Sequence, residues 1–132
     1  MHATPRRDDE MILVDSTIER WSEVLDGVGA DTVVVGNTHM PFVRLVDRRL
    51  VVNPGSIGMP YGTAGAHWAL LDAESGAVTL RRTPFDAPAV AERIVAESGF
   101  DGAAQWVADY ITAIHSDVEA LRAFGKVEGR PA

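Results

Sequence analysis

The stretch DTVVVGNTHMP, residues 31–41, joins a run of β-branched residues directly to the polar triplet Asn-Thr-His. A short, uninterrupted apolar run is typical of a strand buried on both faces, so we predict a central strand of a sheet here. Gly36 before the triplet and Pro41 after it restrict the path of the backbone. Because ligands gather where the strands of layered α/β sheets end, this loop is the first candidate site.

The residues that precede this strand predict a helix. Ser16 and Glu19 have the spacing of a capping box, and apolar residues recur at helical spacing through Val28, which predicts a helix over 16–27. Trp21 lies within this apolar stripe, so we expect it in the core.

The residues that follow predict two β-hairpins and then helices. FVRLV pairs with LVV across a charged turn, and AHWALLDA pairs with AVTLRRT. After Phe85 the apolar period changes to that of helices, with Trp106 expected in the core. A second capping box predicts a break near His115 and a short last helix over 116–124, followed by a frayed tail at 125–132. The order predicts an α/β (α+β layered) fold, with a mixed sheet and flanking helices in one domain, 1–124.

Composition limits the class of partner. A net charge of −7, from 19 acidic and 12 basic residues, argues against non-specific nucleic-acid binding. Cysteine is absent, so a metal site would use histidine, carboxylate or amide ligands. No apolar run reaches the length of a membrane span, and we expect a cytoplasmic protein without membrane contact.

His39 is the leading metal-ligand candidate in the first loop, because neutral imidazole is a common metal ligand. Asn37 offers an amide oxygen two positions earlier, and in an extended turn the two side chains would point the same way. The alternative is a structural loop in which Asn37 stabilises a turn and His39 bonds a carbonyl. Spacing alone favours that alternative.

Four stretches in order, HATP at 2–5, GNTHMP at 36–41, VNPGSIG at 52–58 and the hairpin that follows, resemble the C-terminal half of the calcineurin-like metallophosphoesterases. The resemblance is to the small prokaryotic phosphodiesterase branch of that superfamily. It implies part of a four-layer αββα sandwich and a two-metal site for Mn, Zn, Fe, Ni or Mg. His2, Asn37 and His39 would be metal ligands, and a small phosphorylated molecule would be the substrate.

This chain departs from the family pattern in two ways. The motifs D-x-H, G-D-x-x-D and G-N-H-[DE] are absent, and with them the bridging carboxylate and most metal ligands. Asn37 stands where the family has the first histidine of its G-H-x-H motif, which weakens one metal site. We therefore expect a hydrolase of phosphodiesters or phosphomonoesters present as a truncated chain that is inactive alone. The alternative is a degenerate, non-catalytic module that pairs its open sheet face with a partner.

The NPGSIG loop is the second candidate region. Asn53 and Ser56 would offer hydrogen bonds to phosphate, and Gly55 would allow close approach of the backbone. A plain turn between two strands is nearly as good an interpretation. His67, at the start of the next strand, is expected to be half exposed. Because half a sandwich leaves one sheet face open, we also expect a homo-oligomer or a missing N-terminal half.

Overall fold

The computed structural model describes residues 2–129, in which five strands and four α-helices follow one another along the chain. The bounds of these elements are β1 Thr32–Val34, β2 Phe42–Val46, β3 Arg49–Asn53, β4 Ala66–Leu71, β5 Val78–Thr83, α1 Ile18–Val24, α2 Ala87–Glu97, α3 Ala103–Val107 and α4 Asp117–Glu128. A single π-helical turn, Ala108–Thr112, continues directly from α3. None of the helices in this part of the chain is long and apolar enough to cross a bilayer.

The strands form a mixed three-stranded sheet and a separate two-stranded ribbon. β3 lies in the middle of the first sheet, parallel to β1 and antiparallel to β2. The ribbon is the hairpin of β4 and β5. Asp47 and Arg48 connect β2 to β3 with φ of 43° and 67°, the left-handed pair that a tight hairpin turn needs. Both predicted hairpins are confirmed, and so is the α/β class with a mixed sheet.

The main core lies between α1 and one face of the three-stranded sheet. Trp21 is fully buried there, as predicted, with its ring edge-on to Phe42 at 6.0 Å between centroids. Its indole Nε1 donates to the carbonyl of Leu13 at 3.0 Å, so the polar atom is satisfied inside the core. Arg44 places its guanidinium 5.9 Å from the centre of the same ring.

The boundaries of α1 differ from the prediction. The helix begins at Ile18, and Thr17 is its N-cap, accepting from the backbone N–H of Arg20. The hydroxyl of Ser16 instead accepts from the backbone N–H of Leu13 and donates to the carboxylate of Glu128. The predicted capping box at Ser16 is wrong because this hydroxyl is engaged by the preceding Leu13 and by the distant Glu128 instead of by the first turn of α1.

Within residues 2–129, strand β1 does not occupy the central position that its apolar run predicts, because β3 lies there. Among the described strands it pairs with β3 alone, and Val34 is 41% exposed on the face away from α1. Val43 and Leu45 of β2 share that face and are 43% and 67% exposed. Val52 of β3, paired with both Val34 and Val43, lies on this face and is buried, so within residues 2–129 the face is apolar and only partly open.

The C-terminal helices contain one confirmed and two wrong predictions. Ser116 and Glu119 form the predicted capping box at the start of α4. The helix continues one turn beyond the predicted end at Phe124 and closes at Gly129 in the left-handed conformation, so residues 125–128 are helical rather than frayed. The rest of the predicted tail, 130–132, lies outside the described residues. Trp106 is 38% exposed, because α3 lies at the surface and not over the core.

Candidate functional site

The first loop turns sharply where β1 ends. The N–H of Thr38 donates to the carbonyl of Gly36 at 2.8 Å, which closes a three-residue γ-turn centred on Asn37, whose φ is 69°. His39 has a φ of 56°, also in the left-handed region. The segment is therefore not the extended turn that we predicted. Two left-handed residues so close together are strained, and strain of this kind concentrates at functional sites.

Asn53, at the end of β3, joins the two candidate loops. Its side chain has no exposed surface. The amide nitrogen donates to the Gly36 carbonyl at 3.2 Å and to the Thr38 hydroxyl at 3.0 Å, and the amide oxygen accepts from the N–H of Gly55 at 2.9 Å. This amide is fully engaged within the protein. The phosphate contact that the sequence predicts for Asn53 stays a prediction, whereas its part in holding both loops is visible.

Gly55 and Ser56 are likewise bound into the fold. Gly55 has a φ of 85°, and a Cβ there would lie 2.9 Å from the Cβ of His67 and 3.2 Å from that of Pro41. Its close approach is thus to other parts of the chain. The Ser56 hydroxyl accepts from the N–H of Met59 at 3.0 Å and is partly exposed, so it keeps a proton to donate. Contact of either residue with a phosphate stays a prediction.

The ring of His39 has a defined orientation. Its Nδ1 lies 3.0 Å from the carbonyl oxygen of Met59. A carbonyl only accepts, so the neutral ring carries its proton on Nδ1 and leaves the lone pair on Nε2. Histidines that bind metals are held by this same kind of second hydrogen bond. The ring of Tyr61 lies beside it, 6.1 Å between centroids.

His2 lies in a different setting. Ala3 and Thr4, which follow it, are buried, and the Thr4 hydroxyl donates to Glu10 at 2.7 Å. Arg6 and Arg20 also bind the Glu10 carboxylate. The hydrogen bond from Arg6, with help from Thr4 and Arg20, lowers the pKa of Glu10 to about 2. His2 itself is exposed and borders a shallow depression with residues 4–9.

His67 is buried, and the half exposure predicted for it is wrong. Its Nε2 lies 3.0 Å from the carbonyl oxygen of Thr63, so the nitrogen donates to that oxygen. The neighbouring Gly55 packs against its Cβ. His67 therefore packs against the glycine-rich loop and is not exposed to solvent.

The donor set present fits part of a metal site. No three histidine, aspartate or glutamate side chains within residues 2–129 are grouped so that they could hold one ion. His39 fits a ligand, because its Nε2 lone pair is left for an ion. Asn37 is partly exposed beside it, and its side chain makes no hydrogen bond with a described residue. His2, Asn37 and His39 stay predicted ligands.

Sequence reasoning missed two parts of this site. The carbonyl of Met59 orients His39, and a backbone acceptor leaves no trace in side-chain chemistry. Tyr61 was also missed, although an aromatic residue in a loop rich in glycine and proline is a signal that could have found it.

Glycine-rich loops lie at the strand ends of a mixed sheet, with an oriented histidine between them, in a protein of the α/β class. Residues 4–76, more than half of the chain, match the calcineurin-like phosphoesterase superfamily domain. The chain belongs to this superfamily, which confirms the resemblance at that level. Asn37, His39 and the NPGSIG loop lie inside the matched stretch, and His2 lies just before it.

Solved structures support the same fold. A hypothetical protein from Pyrococcus horikoshii OT3 is 22% identical with a TM-score of 0.68, and the match covers 86% of this chain and 45% of that one. A metallophosphoesterase from Sphaerobacter thermophilus is 17% identical with a TM-score of 0.66, covering 81% and 53%. The chain thus spans about half the length of these two proteins. No curated protein matches it significantly.

Proposed function

We propose that this chain supplies the histidine loop of a metal-dependent phosphoesterase of the small prokaryotic phosphodiesterase branch. The observation that carries the proposal is the hydrogen bond between His39 Nδ1 and the Met59 carbonyl, because it leaves Nε2 ready to bind a metal ion. Membership of the superfamily supports the same chemistry. The proposed substrate is a small phosphodiester or phosphomonoester.

Two divalent ions, when bound, would supply a hydroxide near neutral pH and neutralise the phosphate oxygens. In the proposal, the residues of this chain bind the ions, hold the loops together and contact the phosphate. His39 binds one ion through Nε2, while Asn37 and His2 serve the other more weakly, because an amide oxygen replaces an imidazole. Asn53 holds the loop that carries His39 against the NPGSIG loop. The Ser56 hydroxyl donates to a phosphate oxygen.

The acidic ligands of such a site would come from outside residues 1–132. Carboxylates are needed to offset the dehydration of a divalent ion, and the described residues contain no group of three histidine or carboxylate side chains that could hold one. The open face of Val34, Val43 and Leu45 would seat the segment that brings them, which would complete a four-layer sandwich. We accordingly propose weak metal binding and no turnover by residues 1–132 alone.

A second candidate function rests on the same open face. Exposed apolar residues side by side on one sheet mark a surface that pairs with another protein surface. A non-catalytic module that self-associates through this face would use no metal. Light scattering on the chain extended upstream of Met1 distinguishes the two. This candidate requires a stable homo-oligomer whose association is lost in the variant Leu45→Lys, whereas the first proposal has the face covered within one chain.

The test of the first proposal compares residues 1–132 with a chain extended by the reading frame upstream of Met1. Hydrolysis of bis(p-nitrophenyl) phosphate with Mn²⁺ is measured for both. We expect turnover only from the extended chain, its loss in His39→Ala, and a faster rate in Asn37→His. Turnover by residues 1–132 that survives His39→Ala would show that the catalytic site lies elsewhere.

A further inference from the structure

A pocket of about 330 Å³ lies directly beside the His39 loop, on the side that faces α4. Met40 and Pro41, the two residues after His39, form one wall, and Leu121 of α4 forms the opposite wall. Tyr61 and Asp117 also line the pocket. The volume is at the lower end of the range for small-molecule sites, roughly 300 to 1,000 Å³.

Tyr61 connects this pocket to His39. Its ring lines the pocket and also lies beside the His39 ring, with 6.1 Å between centroids. Phe124 of α4 packs edge-on against Tyr61 at 5.6 Å, so the ring is held in place from behind. His39 itself does not line the pocket; Tyr61, which contacts its ring, and Met40, which follows it in the chain, are the lining residues nearest to it.

The lining sets the chemistry of an occupant. Met40, Leu121 and the Tyr61 ring offer apolar surface suited to a flat ring. Asp117, the first residue of α4, is the acidic group in the lining, and its carboxylate makes no hydrogen bond with a described residue. A carboxylate only accepts, so this exposed group favours an occupant with hydroxyl or amino donors. It also repels an anion, which places a phosphate on the His39 side.

We propose that this pocket binds the organic part of the phosphate ester, a flat ring with hydroxyl or amino donors and the size of a nucleoside. The assignment deepens the proposed function and rests on it, because the phosphate end of the ester is taken to lie at His39. It gives α4 a part in choosing the substrate.

The test uses adenosine as the probe, added to ¹⁵N-labelled residues 1–132 without metal. We expect backbone amide shifts confined to Met40, to residues 59–63 and to residues 117–121 of α4. Leu121→Trp fills the pocket and should weaken binding by about tenfold or more. Tyr110→Ala is the matched control, because Tyr110 lines a separate cavity that Tyr61 also borders. The affinity of this variant for adenosine should stay within about twofold of the wild type.

Adenosine carries no phosphate and needs no metal, so its binding tests the pocket independently of catalysis. Asp117→Asn keeps the shape of the pocket, and we expect a several-fold loss of affinity that serves as the second test should Leu121→Trp unfold. Shifts that map elsewhere, undetectable binding at about 10 mM adenosine, or unchanged affinity in both pocket variants overturn the proposal. If adenosine binds in the pocket as described but the extended chain hydrolyses no phosphate ester, the proposed function is wrong and the assignment of the pocket is not.

Discussion

The two loops that carry the predicted histidine ligands are held in different ways. The His39 loop is fixed by a buried amide, by two left-handed residues and by a hydrogen bond to the ring itself. The segment that carries His2 is fixed by ion pairs around Glu10, and His2 stays exposed. Buried neutral hydrogen bonds hold a geometry largely independently of pH, whereas ion pairs depend on both pH and salt. The position of the predicted ligand His39 is therefore held largely independently of pH and salt, whereas the segment that carries His2 depends on both.

Removal of the buried amide should have the largest effect on this contrast. Asn53→Ala leaves the buried Thr38 hydroxyl and the partly buried Gly36 carbonyl and Gly55 N–H without these partners, and we expect a loss of about 3 kcal/mol in the free energy of unfolding. Urea denaturation gives the value. His2→Ala, at an exposed site, should change stability by less than about 0.5 kcal/mol. If Asn53→Ala lowered the free energy of unfolding as little as His2→Ala does, the buried amide would not hold the His39 loop more firmly than the His2 segment is held.

The close approach of Gly55 should have the next largest effect. A Cβ at this position meets the Cβ of His67 at 2.9 Å, and its φ of 85° disfavours any L side chain, so Gly55→Ala should cost about 2 to 3 kcal/mol. Thermal unfolding monitored by circular dichroism measures it. Gly58→Ala is the matched control in the same loop, because a Cβ there has nothing within 4 Å. Equal melting temperatures for the two variants would contradict the packing described.

Part of this contrast was readable in the sequence and part was not. The hairpins and the loop that carries His39 follow from local patterns, since a tight turn and alternating residues suffice to specify them. The N-cap of α1 and the edge position of β1 depend on partners distant in sequence. Ser16, for example, bonds to Glu128 and does not cap the helix, so Thr17 is the N-cap. The orientation of the His39 ring depends on a backbone carbonyl that sequence patterns do not record.

A smaller effect is expected from Glu10, and it should depend on pH. Folding lowers the pKa of this carboxyl from 4.5 to about 2, so its contribution is complete above pH 4.5 and is lost as pH falls toward 2. Glu10→Gln should cost about 2 kcal/mol at neutral pH, less than the full shift implies because Arg6 is partly exposed to solvent.

Urea denaturation between pH 7 and pH 2.5 checks this expectation. The difference between wild type and Glu10→Gln should shrink as the pH falls, while Glu92→Gln, at an exposed position of α2, should follow the wild type. A difference that is constant over this range would mean that the Glu10 ion pairs do not hold the His2 segment.

The protonation of the His39 ring tests the central claim most directly. Long-range ¹H–¹⁵N NMR correlations at pH 8 distinguish a proton on Nδ1 from one on Nε2 in each neutral histidine. The structure predicts that His39 is the Nδ1–H tautomer, with Nε2 as the nitrogen whose resonance moves when Zn²⁺ is added. An Nε2–H tautomer of His39, or a Zn²⁺ shift at Nδ1 instead, would contradict the account that this loop is preorganised to bind metal.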